Sequence, residues 1–162
     1  MGTSRLATAC AVALLVAVAF GGCGGDAGPR LSRAAFITKA SKECHTLKQA
    51  SDEFRAAQAP SAVGKQVANM LHKVADRLRE LVRNVDRLVP PAAIQGEVDT
   101  LLGVLADYAN GLDTLAYHAG TDQSFQGLLE ANVGTVNRLN DLATRAGQVV
   151  VHLKLTACVL PS

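Results

Sequence analysis

From Val67 to Leu88 the apolar residues Val67, Leu71, Val74, Leu78, Leu81, Val85 and Leu88 recur at alternating steps of four and three. Such steps hold side chains on one side of an α-helix, whereas a half-buried strand needs a period of two. Three further segments carry the pattern. Ile37, Ala40, Cys44, Leu47, Ser51 and Phe54 form one face between Ser32 and about Gln58. Ile94, Val98, Leu101, Leu105, Tyr108, Leu112 and Leu115 form another, which ends near His118. A fourth begins after Ser124 and runs through Phe125, Leu129, Asn132, Val136, Leu139, Ala143, Ala146, Val150 and Leu153. Pro60-Ser61, Pro90-Pro91 and Gly120-Thr121-Asp122 separate the four, with Ser32 and Ser61 placed to cap the first two starts. Trp is absent and aromatics make up 4% of a chain that is 49% apolar, so Ala, Leu and Val must supply the core, a mixture that suits helices better than sheets.

Each segment spans roughly 27 to 33 residues, hence about 40 to 50 Å at the helical rise. Connections this short force antiparallel neighbours. The expected fold is therefore all-α, an up-down-up-down antiparallel four-helix bundle over residues 32–162. In that topology the start of the first helix and the end of the fourth share one end of the bundle, and Cys44 and Cys158 lie in those segments. One disulfide between them is expected.

Residues 1–22 predict an export signal: Arg5 makes the start positive, Leu6 to Phe20 is an apolar run, and small residues follow. A run of fifteen residues falls short of the roughly 20 that span a bilayer, which disfavours a permanent membrane helix. Where the run ends, Phe20-Gly21-Gly22-Cys23 resembles the lipobox of bacterial lipoproteins, with Phe20 in place of the usual Leu. The resemblance implies thioether lipidation of Cys23, cleavage before it, and acylation of the new amino terminus. Residues 23–31 then form a lipidated cysteine and a flexible tether that holds the protein on the extracytoplasmic face of the cell membrane. Ala17-Val18-Ala19 offers an alternative cleavage site and with it a freely secreted product. Cys10 leaves with the signal in either case. Exported proteins tend to pair their thiols, so if Cys23 carries lipid, Cys44 and Cys158 remain as an even pair.

Taken with the prolines that punctuate the middle of the chain, Phe36-Ile37-x-x-Ala40-x-x-x-Cys44 and a cysteine four residues from the end resemble small uncharacterised lipoproteins of actinobacteria. The resemblance spans the chain and implies location and fold; it brings no activity and no functional residues. His45 beside Cys44, and Val159-Leu160-Pro161-Ser162 after Cys158, depart from it.

Helical bundles build sites by pointing ligands inward. Here no carboxylate or histidine occupies a core position: Asp107, Asp113, Glu130 and Asp141, like His45, His72, His118 and His152, fall on flanking or outer ones. Inward Glu-x-x-His pairs for a di-metal centre are lacking, and Glu43-Cys44-His45 lacks the first cysteine of a haem-attachment motif. Cys44 and His45 also fail as a nucleophile pair, since helix neighbours point about 100° apart. No catalytic residue, metal site or cofactor is assigned, and the chain is expected not to be an enzyme.

Three polar residues do take core positions, namely Ser51, Tyr108 and Asn132. By rise per residue they lie roughly 10, 15 and 12 Å from the end of the bundle away from the amino terminus, so a shared buried polar layer, or a ligand contact there, is expected. Gly96, Gly103, Gly127 and Gly134 map to the outward faces of the third and fourth helices, with Leu102, Val104, Leu128 and Val133 beside them, and mark a possible partner face. The second segment carries Lys65, Lys73, Arg77, Arg79, Arg83 and Arg87 against Asp76, Glu80 and Asp86, whereas the third holds Glu97, Asp99, Asp107 and Asp113 with no Lys or Arg. Antiparallel neighbours of opposite sign favour that pairing. Arg30, Arg33, Lys39, Arg83, Arg87 and Lys154 gather toward the tethered end, partly offset by Glu97 and Asp99, as possible headgroup contacts.

From Cys23 onward there are fifteen Lys and Arg, the sixteen of the chain less Arg5, against fourteen Asp and Glu, which gives nucleic acid no purchase. The expected function is a membrane-anchored, non-catalytic binding or structural module of the cell envelope, partnered by the membrane and by an envelope protein. The alternative is a carrier or sensor of a small apolar ligand held in the bundle core.

Overall fold

In the computed structural model, which describes residues 29–57, 63–119, 124–155, 157 and 158, the chain is all helical. Its elements are α1 (Arg33–Ala57), α2 (Lys65–Asp86), a single 3-10 turn (Ala92–Ile94), α3 (Gln95–His118), α4 (Phe125–Ala131) and α5 (Val133–Leu153). Among the described residues there is no strand; Val63 and Ser124 form an isolated antiparallel bridge. The expected signal at 1–22, Cys23, the tether up to Gly28, Ser61 and the Gly120-Thr121-Asp122 turn lie outside the described residues, and the N-cap of α2 is Gly64 rather than the expected Ser61, with no side-chain cap hydrogen bond.

Helix α1 begins as its sequence requires, with Ser32 Oγ accepting the Ala35 backbone N–H at 3.2 Å. Its buried line differs from the expected one at the first position. Phe36, Ala40, Cys44, Leu47 and Ser51 are buried, whereas Ile37 is only half-buried. Steps of four back from Cys44 reach Ala40 and then Phe36, and Ile37 stands about 100° round the helix from that line. The side chain of Phe54 lies outside the described ones.

Helix α2 buries Val67, Leu71, Val74, Leu78, Leu81 and Val85 along one stripe and leaves Leu88 half-buried beyond its end. It follows Gly64, whose φ of 50° is a left-handed conformation that glycine adopts without a Cβ penalty. Pro90-Pro91 stops it, since proline has no N–H to continue the ladder and disfavours helical backbone in the residue before it. All seven expected core residues of α3 and its preceding turn are buried.

The fourth segment is not one rod. It breaks at Asn132, where φ is −124° and ψ is 38°, into the seven-residue α4 and the 21-residue α5. Asn132 Nδ2 donates to the Leu128 carbonyl at 2.8 Å, taking the acceptor that an unbroken helix would offer its backbone N–H. That N–H turns to Leu129 O at 3.1 Å instead. Val133, Gly134 and Thr135 follow, all weak helix formers, so nothing local resists the break.

The long helices pack in sequence order, α1 on α2, α2 on α3 and α3 on α5, while α4 touches both α3 and α5. Their directions follow from the bonds at one extremity. Leu31 N–H donates to Val89 O at 2.9 Å, Arg33 Nη2 to His152 O at 3.4 Å, and His152 Nδ1 to Glu97 Oε1 at 3.4 Å. The starts of α1 and α3 therefore meet the ends of α2 and α5.

Helix α5 closes with a Schellman turn around Lys154, the one non-glycine among the described residues with positive φ, at 62°. Lys154 N–H donates to Val151 O at 3.1 Å, and Leu155 N–H reaches back to Val150 O at 2.9 Å. Both Val150 and Leu155 are buried, which supplies the apolar contact that accompanies this motif. The turn redirects the chain toward the core, where Cys158 is bonded to Cys44 with a Cα separation of 4.8 Å. No described helix is long and apolar enough to cross a membrane.

Candidate functional site

The most connected polar cluster lies where α2 and α3 pack. His72 and Arg79, seven residues apart and so on one face of α2, both reach Asp113 of α3: His72 Nδ1 donates to Asp113 Oδ1 at 2.8 Å, and Arg79 Nη2 donates to Asp113 Oδ2. Arg79 also donates to Asn110 Oδ1 at 3.2 Å and to Asp76 Oδ1 at 3.4 Å. Burial alone would raise the Asp113 carboxyl, but the hydrogen bonds and charges of Arg79 and His72 outweigh it and hold the group below the ordinary carboxylate range. The same contact raises the Arg79 guanidinium, the hydrogen bond to Asp113 being the largest cause.

This arrangement satisfies a carboxylate of α3 with two donors from α2 and so locks the helix pair. Replacing Asp113 with Asn is expected to cost about 1 kcal/mol of stability, in the range of a partly exposed ion-pair network. Because the folded-state carboxyl titrates below its unfolded value, its contribution is present above about pH 4 and is lost as pH falls through the lowered folded value. Urea unfolding of both proteins at neutral pH and near pH 3 checks this. The gap between them should narrow in acid, and a gap that stays constant refutes the role.

Of the three polar residues assigned to the core, Ser51 and Tyr108 are buried, and burial pushes the Tyr108 phenol above the usual tyrosine range. Asn132 is half-buried, with its amide donating to Leu128 O at the junction of α4 and α5. It serves the break in its own chain. No buried side-chain nitrogen or oxygen among the described residues lacks a hydrogen-bond partner.

A Cβ on Gly96, Gly103 or Gly134 would meet open space, in keeping with their outward assignment, while Gly127 is half-buried with its N–H on Ser124 Oγ at 3.1 Å, the cap of α4. The apolar arc expected beside them is not at the surface: Leu102, Val104 and Leu128 are buried in the core, and only Val133 is exposed. The glycine that α3 and α5 do use is Gly111, where a Cβ would come within 2.6 Å of Leu139 Cδ2.

The cations assigned to the tethered end are exposed, and the fold brings several of them together. Arg30 Nη1 donates to Pro90 O and to Gln95 Oε1, both at 2.8 Å, and Arg33 reaches His152 O. Arg87 and Lys154 stand at the ends of α2 and α5 beside them, whereas Lys39 and Arg83 lie further along their helices. A surface groove of about 230 Å³ opens there, lined by Glu97, Gln148, Val149 and His152. A second groove of about 450 Å³ runs along α2 past Lys73, Asp76, Arg77, Glu80 and Arg83. Neither is lined by Ser51, Tyr108 or Asn132.

Among the described residues no three His, Cys, Asp or Glu side chains are placed to hold a metal ion. His45, His72, His118 and His152 are all exposed. Sequence reading missed the His72–Asp113–Arg79 cluster, although the opposite charges of the two segments and the seven-residue spacing of His72 and Arg79 were its visible signals. No protein-family model, no curated protein and no solved structure matches this chain.

Proposed function

We propose that this protein is a lipoprotein of the cell envelope, tethered through Cys23 to the extracytoplasmic face of the membrane, whose domain is a non-catalytic binding or structural module. In this reading the domain is an up-down-up-down four-helix bundle in which α4 and α5 together make the fourth rod, bent at Asn132. The observation that supports it most directly is the Cys44–Cys158 disulfide. Such bonds persist in oxidising compartments outside the cytosol. The bond also accounts for two of the three cysteines beyond the expected signal and leaves Cys23, at the end of the apolar run, as the odd one.

Mass spectrometry of the mature amino terminus tests the reading. A Cys23 residue carrying thioether-linked lipid is expected, and Cys23→Ser should move the protein from the membrane fraction into the soluble one. A mature chain starting at Phe20 with a free Cys23 thiol would instead make it a secreted protein, and retention of Met1 would sink export altogether.

A further inference from the structure

Four cations gather at one end of this domain without an ion pair to a described carboxylate, although Lys65, Lys73, Arg138 and Arg145 elsewhere on it make none either. Among the described residues, the lysines and arginines paired with carboxylates are Lys48 and Arg55 on Asp52, Arg77 on Glu80, and Arg79 on Asp76 and Asp113. These stand on the second half of α1 and the middle of α2. At the end where α1 begins and α5 finishes, Arg30, Arg33, Arg87 and Lys154 make no ion pair with a described carboxylate, and Arg30 and Arg33 spend donors on neutral acceptors.

Helix dipoles explain half of this set. Arg87 and Lys154 sit at helix C-termini, where a cation is favoured. Arg30 and Arg33 sit at the N-terminus of α1, where a cation is disfavoured, and that helix has no acidic residue in its first turn to offset them. Helix dipoles therefore give no reason for Arg30 and Arg33, which instead tie the start of α1 to Pro90 O, Gln95 Oε1 and His152 O. The carboxylates at the same end are Asp86, Glu97 and Asp99, and Glu97 is engaged by His152. Beside Lys154, on the last turn of α5, Val151 is 72% exposed. Cations around a protruding aliphatic side chain are the composition of a surface that meets the boundary between lipid headgroups and acyl chains.

We propose that this end of the domain rests on an anionic bilayer, with Arg30, Arg33, Arg87 and Lys154 against lipid phosphates and Val151 dipping toward the acyl region. The orientation rests on the tethering reading above: the seven residues from Cys23 to Arg30 reach about 25 Å at full extension, so a lipid on Cys23 holds this end to the membrane. The attraction itself resides in the described residues and does not need the lipid.

The test uses unlipidated protein spanning residues 24–162, which keeps every described residue, with vesicles of mixed phosphatidylglycerol and phosphatidylcholine and with vesicles of phosphatidylcholine alone. Binding is expected to the anionic vesicles only and to vanish at high salt. Arg87→Gln with Lys154→Gly should weaken it roughly 25-fold, about fivefold for each cation. Glycine is chosen at 154 because it adopts the positive φ there without strain, so the fold is kept. Lys73→Gln with Arg145→Gln removes the same charge from the flanks and should change binding about threefold or less, the Debye length being about 10 Å. Absence of a preference for anionic vesicles overturns the proposal, as does equal weakening by the two double variants. A vesicle result of that kind would leave lipidation of Cys23 untouched, and an unlipidated Cys23 would leave the vesicle binding untouched, so the two readings fail separately.

Discussion

Thermal unfolding of a Cys44→Ala, Cys158→Ala protein is expected about 10 to 20 °C below that of the oxidised protein. The bond spans a sequence separation of 114 residues. In the chain-entropy picture, freeing a loop of that length restores roughly 5 kcal/mol of conformational freedom to the unfolded chain. Its position makes the loss structural as well. α1 is packed on α2, while Cys158 belongs to the turn that follows α5, so the bond joins the first helix to the last segment of the chain. Reductant should reproduce the shift in the wild type and leave the double variant unchanged. A shift of about 2 °C or less in both experiments would mean that helix packing alone holds the ends together, and the disulfide would lose its place as the main staple.

The second large effect separates two adjacent side chains. Phe36→Ala is expected to cost about 3 to 5 kcal/mol, because the ring is fully buried and its removal leaves a cavity in the line of Ala40, Cys44 and Leu47. Ile37→Ala, at a half-buried position, should cost about 1 to 1.5 kcal/mol. Denaturant unfolding of the two variants reads the difference directly. Equal costs would mean that α1 is rotated from the position described, with Ile37 sharing the interior.

The contrast between Phe36 and Ile37 also shows where periodicity stops being informative. Both residues suit an apolar face, and a phase error of one residue shifts a helix by only about 100°, less than the width of the stripe a packed helix buries. Sequence steps therefore locate the face of α1 to within a residue, and the neighbouring helices select which edge is interior. On α2 and α3 the stripes are long and regular, and every expected position but Leu88 is buried, though Leu102 and Val104 widen the buried arc beyond the expected line. The fourth segment went astray for a different reason. Asn132 stands in register with its neighbours in the pattern, yet its short amide competes for backbone acceptors, and an apolar count cannot register that competition. The same limit hid the seam of His72, Arg79 and Asp113, since charges at flanking positions have no partner until two helices are laid side by side.

Four helical segments, the stop at Pro90-Pro91, the cap at Ser32 and the pairing of Cys44 with Cys158 were determined by the sequence alone, because each depends on local spacing, backbone chemistry or parity. Tertiary structure alone decided that Phe36 rather than Ile37 points inward, that Leu102, Val104 and Leu128 are core, that Gly111 is where α3 and α5 come close, and that Arg30 and Arg33 share an end with Arg87 and Lys154. Those outcomes turn on distances between residues far apart in the chain, which are set by how whole helices settle against one another.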